Sequence, residues 1–257
     1  MKILLTNDDG IQSKALLALA SALAPHADVT VVAPQTEQSG VGHAFSFYSS
    51  LRFGKAAEYP CEAYWLKGTP SDCSKFAICE ILKGRTPDLV ISGINNGENA
   101  GVAVVYSGTL AGAREAALWN IPAIALSVQE SQAHVLQKCI DWVVAIAKAE
   151  TWRSMPKGSY WTVNFPAVTD AEYKGMQICA MSTVMFVDEY LKAVNPRNQE
   201  EYWLTGFKNR PEFPHGTDDW WLAQGYSTLT PLQVDQTALA EIQRLQDLKG
   251  LLDPAKR

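Results

Sequence analysis

Ile3-Leu4-Leu5-Thr6-Asn7-Asp8-Asp9-Gly10 is the stretch on which the reading of the fold turns. The apolar run at its start predicts a short buried strand. Two adjacent carboxylates repel, which raises one pKa unless a cation lies between them. Gly10 allows the backbone to turn sharply behind them. A divalent-metal site accounts for this run, and so does an ordinary polar turn, because Asn, Asp and Gly favour turns for local reasons. The rest of the chain decides between the two.

Working outward, Ser13 to Ala24 is rich in Ala and Leu, with Leu16, Leu19 and Leu23 on one helical face and Pro25 as a stop. Asp28 to Ala33 is a β-branched strand closed by Pro34, and Ala63 to Leu66 is a further short strand. Thr69-Pro70-Ser71-Asp72 has the signature of a helix start, with a capping threonine, proline in the first turn and an acid at the positive end of the dipole. That helix carries Phe76, Ala77, Ile81 and Leu82. Asp88 to Ser92 and Ala123 to Leu126 predict strands, Ser107 to Trp119 and Ala133 to Ala147 helices, and Tyr160 to Asn164 a strand again. Apolar strands separated by helices imply an α/β fold: a doubly wound, mostly parallel sheet covered on both faces. Its ligand crevice then lies beyond the carboxyl ends of the strands.

From Met176 onward the pattern changes. Tyr190, Tyr202, Trp203, Phe207, Trp220 and Trp221 mix with Pro196, Pro211 and Pro214, without a helical period. Residues 1–175 are therefore assigned to a catalytic core and 176–257 to an arm of hairpins ending in a helix over Thr237 to Leu251, rather than to a second domain. An arm rich in Trp and Tyr usually buries them against something, and a second subunit is the expected partner.

The unusual loops all follow strands or open a helix at the same edge. Asn7 to Gly10 follows the first strand, Glu37 to His43 the second, and Gly93-Ile94-Asn95-Asn96-Gly97 the strand over 88–92. Tyr106-Ser107-Gly108-Thr109 opens a helix shortly after. Two carboxylates, a hydroxyl and an amide oxygen would thus share one crevice, and such hard oxygen donors suit Mg²⁺ or Mn²⁺ rather than zinc. A helix start at Ser107-Gly108-Thr109 offers free N–H groups and a positive dipole end to a phosphate. Each loop has a bland explanation alone; Ser39-Gly40 serves as a turn, Ser107 as a cap and His43 as a packed loop histidine. Their convergence favours a site.

Composition limits the alternatives. The chain of 257 residues is 47% hydrophobic and 19% charged, with a net charge of -5, which argues against an extended nucleic-acid surface. Cys61, Cys73, Cys79, Cys139 and Cys179 are an odd, scattered set, so neither a disulfide framework nor a zinc site is expected. The chain enters a strand directly, with no leader and no run long enough to span a bilayer, so a soluble cytoplasmic protein without membrane or nucleic-acid partners is expected. A nicotinamide enzyme would want Gly-x-Gly-x-x-Gly after the first strand, where this chain lacks it. A phospho-acceptor signalling domain needs an acceptor Asp where this chain has Ser92-Gly93, and is far shorter. A non-catalytic regulatory module that holds a nucleotide through a metal stays open.

At these motifs the chain resembles the SurE family, the stationary-phase survival proteins that act as metal-dependent 5'/3'-nucleotidases. The likeness runs in order through residues 4–11, Val31 to Pro34 with Gln38-Ser39-Gly40, Gly68 to Cys73, Pro87 to Asn95, Tyr106 to Thr109 and Ile121 to Ala125. It continues through Gly216-Thr217-Asp218, Gly225-Tyr226 and Thr230 to Asp235. The resemblance implies that Asp8, Asp9, Ser39 and Asn95 ligate one divalent cation, Mg²⁺ or Mn²⁺, and that Ser107, Gly108 and Thr109 form the phosphate side, with Asn96 as a further contact. It also implies hydrolysis of nucleoside monophosphates with loose base preference, attack on short polyphosphate by some members, and dimers or tetramers formed through the arm. In one place the chain departs from the pattern. Gln12-Ser13-Lys14-Ala15 stands where the family commonly has a small residue, Pro and Gly, leaving the ligands intact but altering the entrance.

Overall fold

The computed structural model describes residues 1–130 and 132–248. In chain order the strands and helices of its first half are β1 (Lys2–Thr6), α1 (Lys14–Leu23), β2 (Asp28–Pro34), β3 (Phe53–Lys55), β4 (Glu62–Leu66), α2 (Pro70–Phe76) and β5 (Leu89–Asn96). There follow α3 (Ala103–Tyr106), α4 (Gly108–Leu118), β6 (Ala123–Val128), α5 (Ala133–Ala149) and β7 (Ser159–Phe165). The last part holds β8 (Met176–Ile178), β9 (Phe186–Val194), β10 (Glu200–Lys208), α6 (Asp218–Ala223), β11 (Ser227–Gln233) and α7 (Leu239–Asp247).

Nine strands form one sheet in the order β3-β4-β2-β1-β5-β6-β7-β11-β8. The run from β4 to β7 is parallel, β3 pairs antiparallel with β4 and β11 antiparallel with β7, and β8 lies parallel to β11 at the far edge. After β1 the chain moves outward through β2 and β4, then returns to lay β5 on the opposite side of β1. The connections therefore diverge between β1 and β5, and this switch point opens a crevice at the carboxyl ends of both strands.

Alternate side chains of β1 serve opposite faces. Ile3 and Leu5 join Leu16, Leu19 and Leu23 of α1 and Val135, Cys139 and Ile140 of α5, whereas Leu4 joins Cys73 of α2 and Leu110, Ala113 and Ala116 of α4. Full burial of each Leu or Ile contributes roughly 1.5–3 kcal/mol, and the two clusters together make a three-layer α/β core. α4 lies close to the sheet because its inner residues are small. A Cβ on Gly112 would stand 2.8 Å from Ser92 Oγ and 2.9 Å from Thr6 Cγ2.

Local signals set the helix starts. Thr69 and Asp72 form a reciprocal capping box on α2, and Ser13 caps α1 by accepting from the Leu16 N–H. The helix expected through Leu82 changes character after Phe76: residues Ala77–Ile81 form a single π turn. The strand expected to end at Ser92 continues to Asn96, because after a register shift Asn95 and Asn96 pair with Ser127 and Val128 of β6.

The segment after residue 175 divides between sheet and arm. β8 and β11 are strands of the main sheet, with β11 paired to β7 from Thr228 to Gln233. β9 and β10 form a separate two-stranded hairpin, paired from Phe186–Lys208 to Val194–Glu200. The terminal helix expected over 237–251 spans Leu239–Asp247, and residues 249–251 lie outside the described residues. Among the described residues no helix is long and apolar enough to cross a membrane.

Candidate active site

The turn after β1 is built around Asn7. Its Nδ2 donates to Gly10 O at 3.0 Å, and the Gly10 N–H donates to Asn7 Oδ1 at 3.2 Å. Both ends of the amide are thereby used to close the turn, so Asn7 shapes the backbone that carries Asp8 and Asp9. Gln38 N–H donates to Asp8 O at 2.8 Å, fastening the loop after β2 to the same turn.

Asp8 is only 4% exposed. Thr109 Oγ1 donates to its Oδ1 at 2.5 Å. Burial raises the Asp8 pKa above the usual carboxylate range, against the pull of the Thr109 hydrogen bonds, and Glu37 adds repulsion. Asp9, half-buried, is pushed up to about 6 by burial, then by the charges of Asp8 and Glu37. Among the described residues no Lys, Arg or His forms an ion pair with Asp8, Asp9 or Glu37. Negative charge is gathered here without an internal counter-charge, and a hard cation fits that arrangement.

The other predicted oxygen donors come from neighbouring strand ends. Ser39 is exposed on the loop after β2, and its hydroxyl donates to Glu37 Oε1 at 2.6 Å. Asn95, at the end of β5, donates from Nδ2 to Gly97 O at 2.8 Å, which leaves its Oδ1 as the acceptor for the crevice. Asp8, Ser39, Asn95, Asn96 and Ser107 line one cavity of about 780 Å³. Asp9, Gly108 and Thr109 are not among the residues lining it, and Gly108 and Thr109 are buried in the first turn of α4. Among the described residues no three His, Cys, Asp or Glu side chains converge on a metal position, so a cation here would rely on hydroxyl and amide oxygens as well.

α4 points its start at the acidic turn. Ser107 caps it, its Oγ accepting from the Leu110 N–H at 3.2 Å, which leaves its O–H to donate into the cavity it lines. The Thr109 hydroxyl, by contrast, donates to Asp8. What α4 offers an anion is its dipole, its first N–H groups and the Ser107 O–H rather than the Thr109 hydroxyl. Gly108 allows the helix to begin this close: a Cβ there would lie 2.9 Å from Asp8 Cβ and 3.2 Å from Gln38 O. His43 is turned away from the cavity, with Nε2 3.1 Å from Glu115 Oε2, and Lys75 and Trp119 also donate to Glu115. Lys14, the first residue of α1, is exposed and is not among the residues lining the cavity, and Ser13 beside it is the α1 cap.

Sequence reasoning missed two groups of residues in this cavity. Asn99 lines it, held by Asn164 Oδ1 accepting from its N–H and by its own Nδ2 donating to Ser127 Oγ. Its place after Asn95 and Gly97 in a Gly- and Asn-rich loop was the available signal. Met185, Phe186, Asp188, Leu204, Thr205 and Gly206 of the hairpin line the opposite side, and nothing in their local sequence marks them.

Fold and site together define a doubly wound α/β protein with an acidic, oxygen-lined crevice at its switch point, facing a helix start. Comparison with known proteins narrows the class. The family model described as Survival protein SurE matches residues 3–188. The chain is 40% identical over 259 residues to 5'-nucleotidase SurE 1 of Thermus thermophilus, covering 98% of each chain. It is 39% identical to 5'-nucleotidase SurE of Cytophaga hutchinsonii, covering 92% of each. The crystal structure of the SurE protein from Aquifex aeolicus superposes with a TM-score of 0.82 at 32% identity, over 97% of this chain and all of that one. The chain belongs to the SurE family.

Proposed function

We propose that this protein is a metal-dependent phosphomonoesterase that hydrolyses nucleoside 5'- and 3'-monophosphates to nucleoside and phosphate, with short polyphosphate as a further substrate. The observation that carries the reading is the meeting of two uncompensated carboxylates, Asp8 and Asp9, with the Asn95 amide and the start of α4 at one switch point. Relatives named as 5'-nucleotidases, similar over nearly the whole chain, support the substrate class.

Asp8, Asp9, Ser39 and Asn95 would hold one divalent cation, Mg²⁺ or Mn²⁺. Such a cation, when bound, supplies charge stabilisation at a phosphoryl oxygen and makes a water more acidic. The chain's own residues do the remaining work. Thr109 holds the Asp8 carboxylate in place and favours its charged form. The first turn of α4 at Ser107, Gly108 and Thr109 presents positive dipole to phosphoryl oxygens, where preorganised donors favour developing negative charge. Asn96 and Asn99 line the cavity beside it, placed to contact the substrate. Water is the nucleophile: His43 is committed to Glu115, and among the described residues no cysteine lines the cavity.

The large exposed side chains along the hairpin, among them Tyr190, Leu191, Tyr202 and Trp203, support a homodimer or homotetramer built through the part of the arm outside the sheet. Free cysteines at 61, 73, 79, 139 and 179 support a reducing, cytoplasmic setting.

Phosphate release from 5'- and 3'-AMP with Mn²⁺ or Mg²⁺ tests the function. It should vanish with EDTA and fall by orders of magnitude in Asp8→Asn. Undiminished activity in that variant would sink the assignment, and tight nucleotide binding without turnover would make the protein a regulatory module instead.

A further inference from the structure

Phosphate and a cation need only the polar corner of the cavity, yet this open cleft has about 780 Å³, a volume typical of sites that hold a drug-sized ligand. The far side is made by the base of the β9–β10 hairpin. Met185 and Leu204 are large apolar side chains 55% and 62% exposed, and both line this cavity together with Phe186. Asp188 and Thr205 add polar atoms to the same wall.

This wall is anchored to the loop that carries Asn99. Lys208 pairs directly with Phe186 across the hairpin, and its ammonium stands 5.3 Å from the ring centroid. Its side chain is only 6% exposed, donating to Asp219 Oδ1 and to Ala100 O, each at 2.7 Å, with Glu98 Oε1 at 3.8 Å. Asp218 completes the anchor, accepting from the N–H groups of Gly101 at 2.8 Å and Ser182 at 2.7 Å. The Gly216-Thr217-Asp218 motif has no place among the phosphate-side residues. Here it joins the loop after β5 to the segment that leads into the hairpin.

We propose that the hairpin base is the nucleoside-side wall of the active site, that the nucleobase rests on Met185, Phe186 and Leu204, and that Lys208 is the positioning residue that holds this wall over the catalytic end. The inference rests on the nucleotidase reading and deepens it. An apolar platform with few fixed donors and acceptors recognises a planar base by area rather than by edge pattern, which makes discrimination among bases weak.

The test compares two substrates, 5'-AMP and glycerol 2-phosphate, which lacks the base, in wild type, Leu204→Ala, Phe186→Ala and Lys208→Gln. The ratio of kcat/KM for AMP to that for glycerol 2-phosphate should fall about tenfold in the first two variants, mainly through KM. Adenosine alone, titrated calorimetrically, should lose a similar factor in affinity. Lys208→Gln should lower the same ratio, and Lys208→Arg should restore most of it. A ratio and an adenosine affinity unchanged in both Leu204→Ala and Phe186→Ala would overturn the inference while leaving the nucleotidase intact. Wild-type protein that releases phosphate from glycerol 2-phosphate but not from AMP would overturn the nucleotidase reading and the inference with it.

Discussion

Replacing Thr109 with valine keeps the shape of a fully buried side chain and removes one hydroxyl, the donor 2.5 Å from Asp8 Oδ1. A hydrogen bond to a charged acceptor contributes about 1.5–3 kcal/mol, and more of that is felt where water cannot replace it. Burial already raises the Asp8 pKa, and the Thr109 hydrogen bond opposes that rise. Without it the protonated form of Asp8 gains, and a cation must displace that proton before it binds. At about 1.4 kcal/mol per tenfold, the loss corresponds to roughly a 10- to 100-fold higher half-saturating Mn²⁺ concentration. The assay is phosphate release from AMP across a Mn²⁺ series, paired with calorimetric titration of the metal-free protein. Activity at saturating Mn²⁺ should recover most of the loss, and Thr109→Ser should behave nearly as wild type. A folded Thr109→Val protein with unaltered Mn²⁺ half-saturation would refute the role given to this contact.

Gly108→Ala should lower activity at least tenfold, because its Cβ would lie 2.9 Å from Asp8 Cβ and 3.2 Å from Gln38 O; the overpacking costs about 1–3 kcal/mol, visible as a lower Tm. Asp9, with a pKa of about 6 in the metal-free protein, should make Mn²⁺ binding weaken as pH falls through that value and level off above it, measured by calorimetry at several pH values. The sign for folding is opposite to that of a paired carboxylate. With its pKa raised, folded Asp9 holds its proton longer than unfolded Asp9, so the metal-free protein should lose stability as pH rises from about 4 towards about 6, checked by denaturant titration. Charged replacement of Leu191 and Trp203, both well exposed on the hairpin, should shift the assembly to smaller species in light scattering; an unshifted mass would remove the arm from the interface.

Much of the core was readable from local signals. β1, β2, α1 and α2 carry their own evidence in apolar runs, helical spacing and the Thr69–Asp72 capping box, all short-range physics that survives without tertiary contacts. Prediction failed where pairing partners mattered. β5 continues to Asn96 because β6 offers Ser127 and Val128 as neighbours, and a segment containing Gly93 and two asparagines has no strand signal of its own. β11 joins the sheet through β7, a partner more than sixty residues away, while its Pro231 reads locally against a strand.

For the site, the sequence by itself set the expected donor chemistry: paired carboxylates, a hydroxyl and an amide after successive strands suit a hard cation wherever a parallel sheet brings those strand ends together. Only the tertiary structure decided how the oxygens are used. Asn7 closes its own turn, Ser107 caps α4, and Thr109 is spent on Asp8, a contact spanning a separation of 101 residues. The hairpin wall and its Lys208–Asp219 anchor lie beyond any local reading. An exposed apolar strand looks the same whether it faces solvent, a second subunit or a cavity; its role depends on what the rest of the chain packs opposite it.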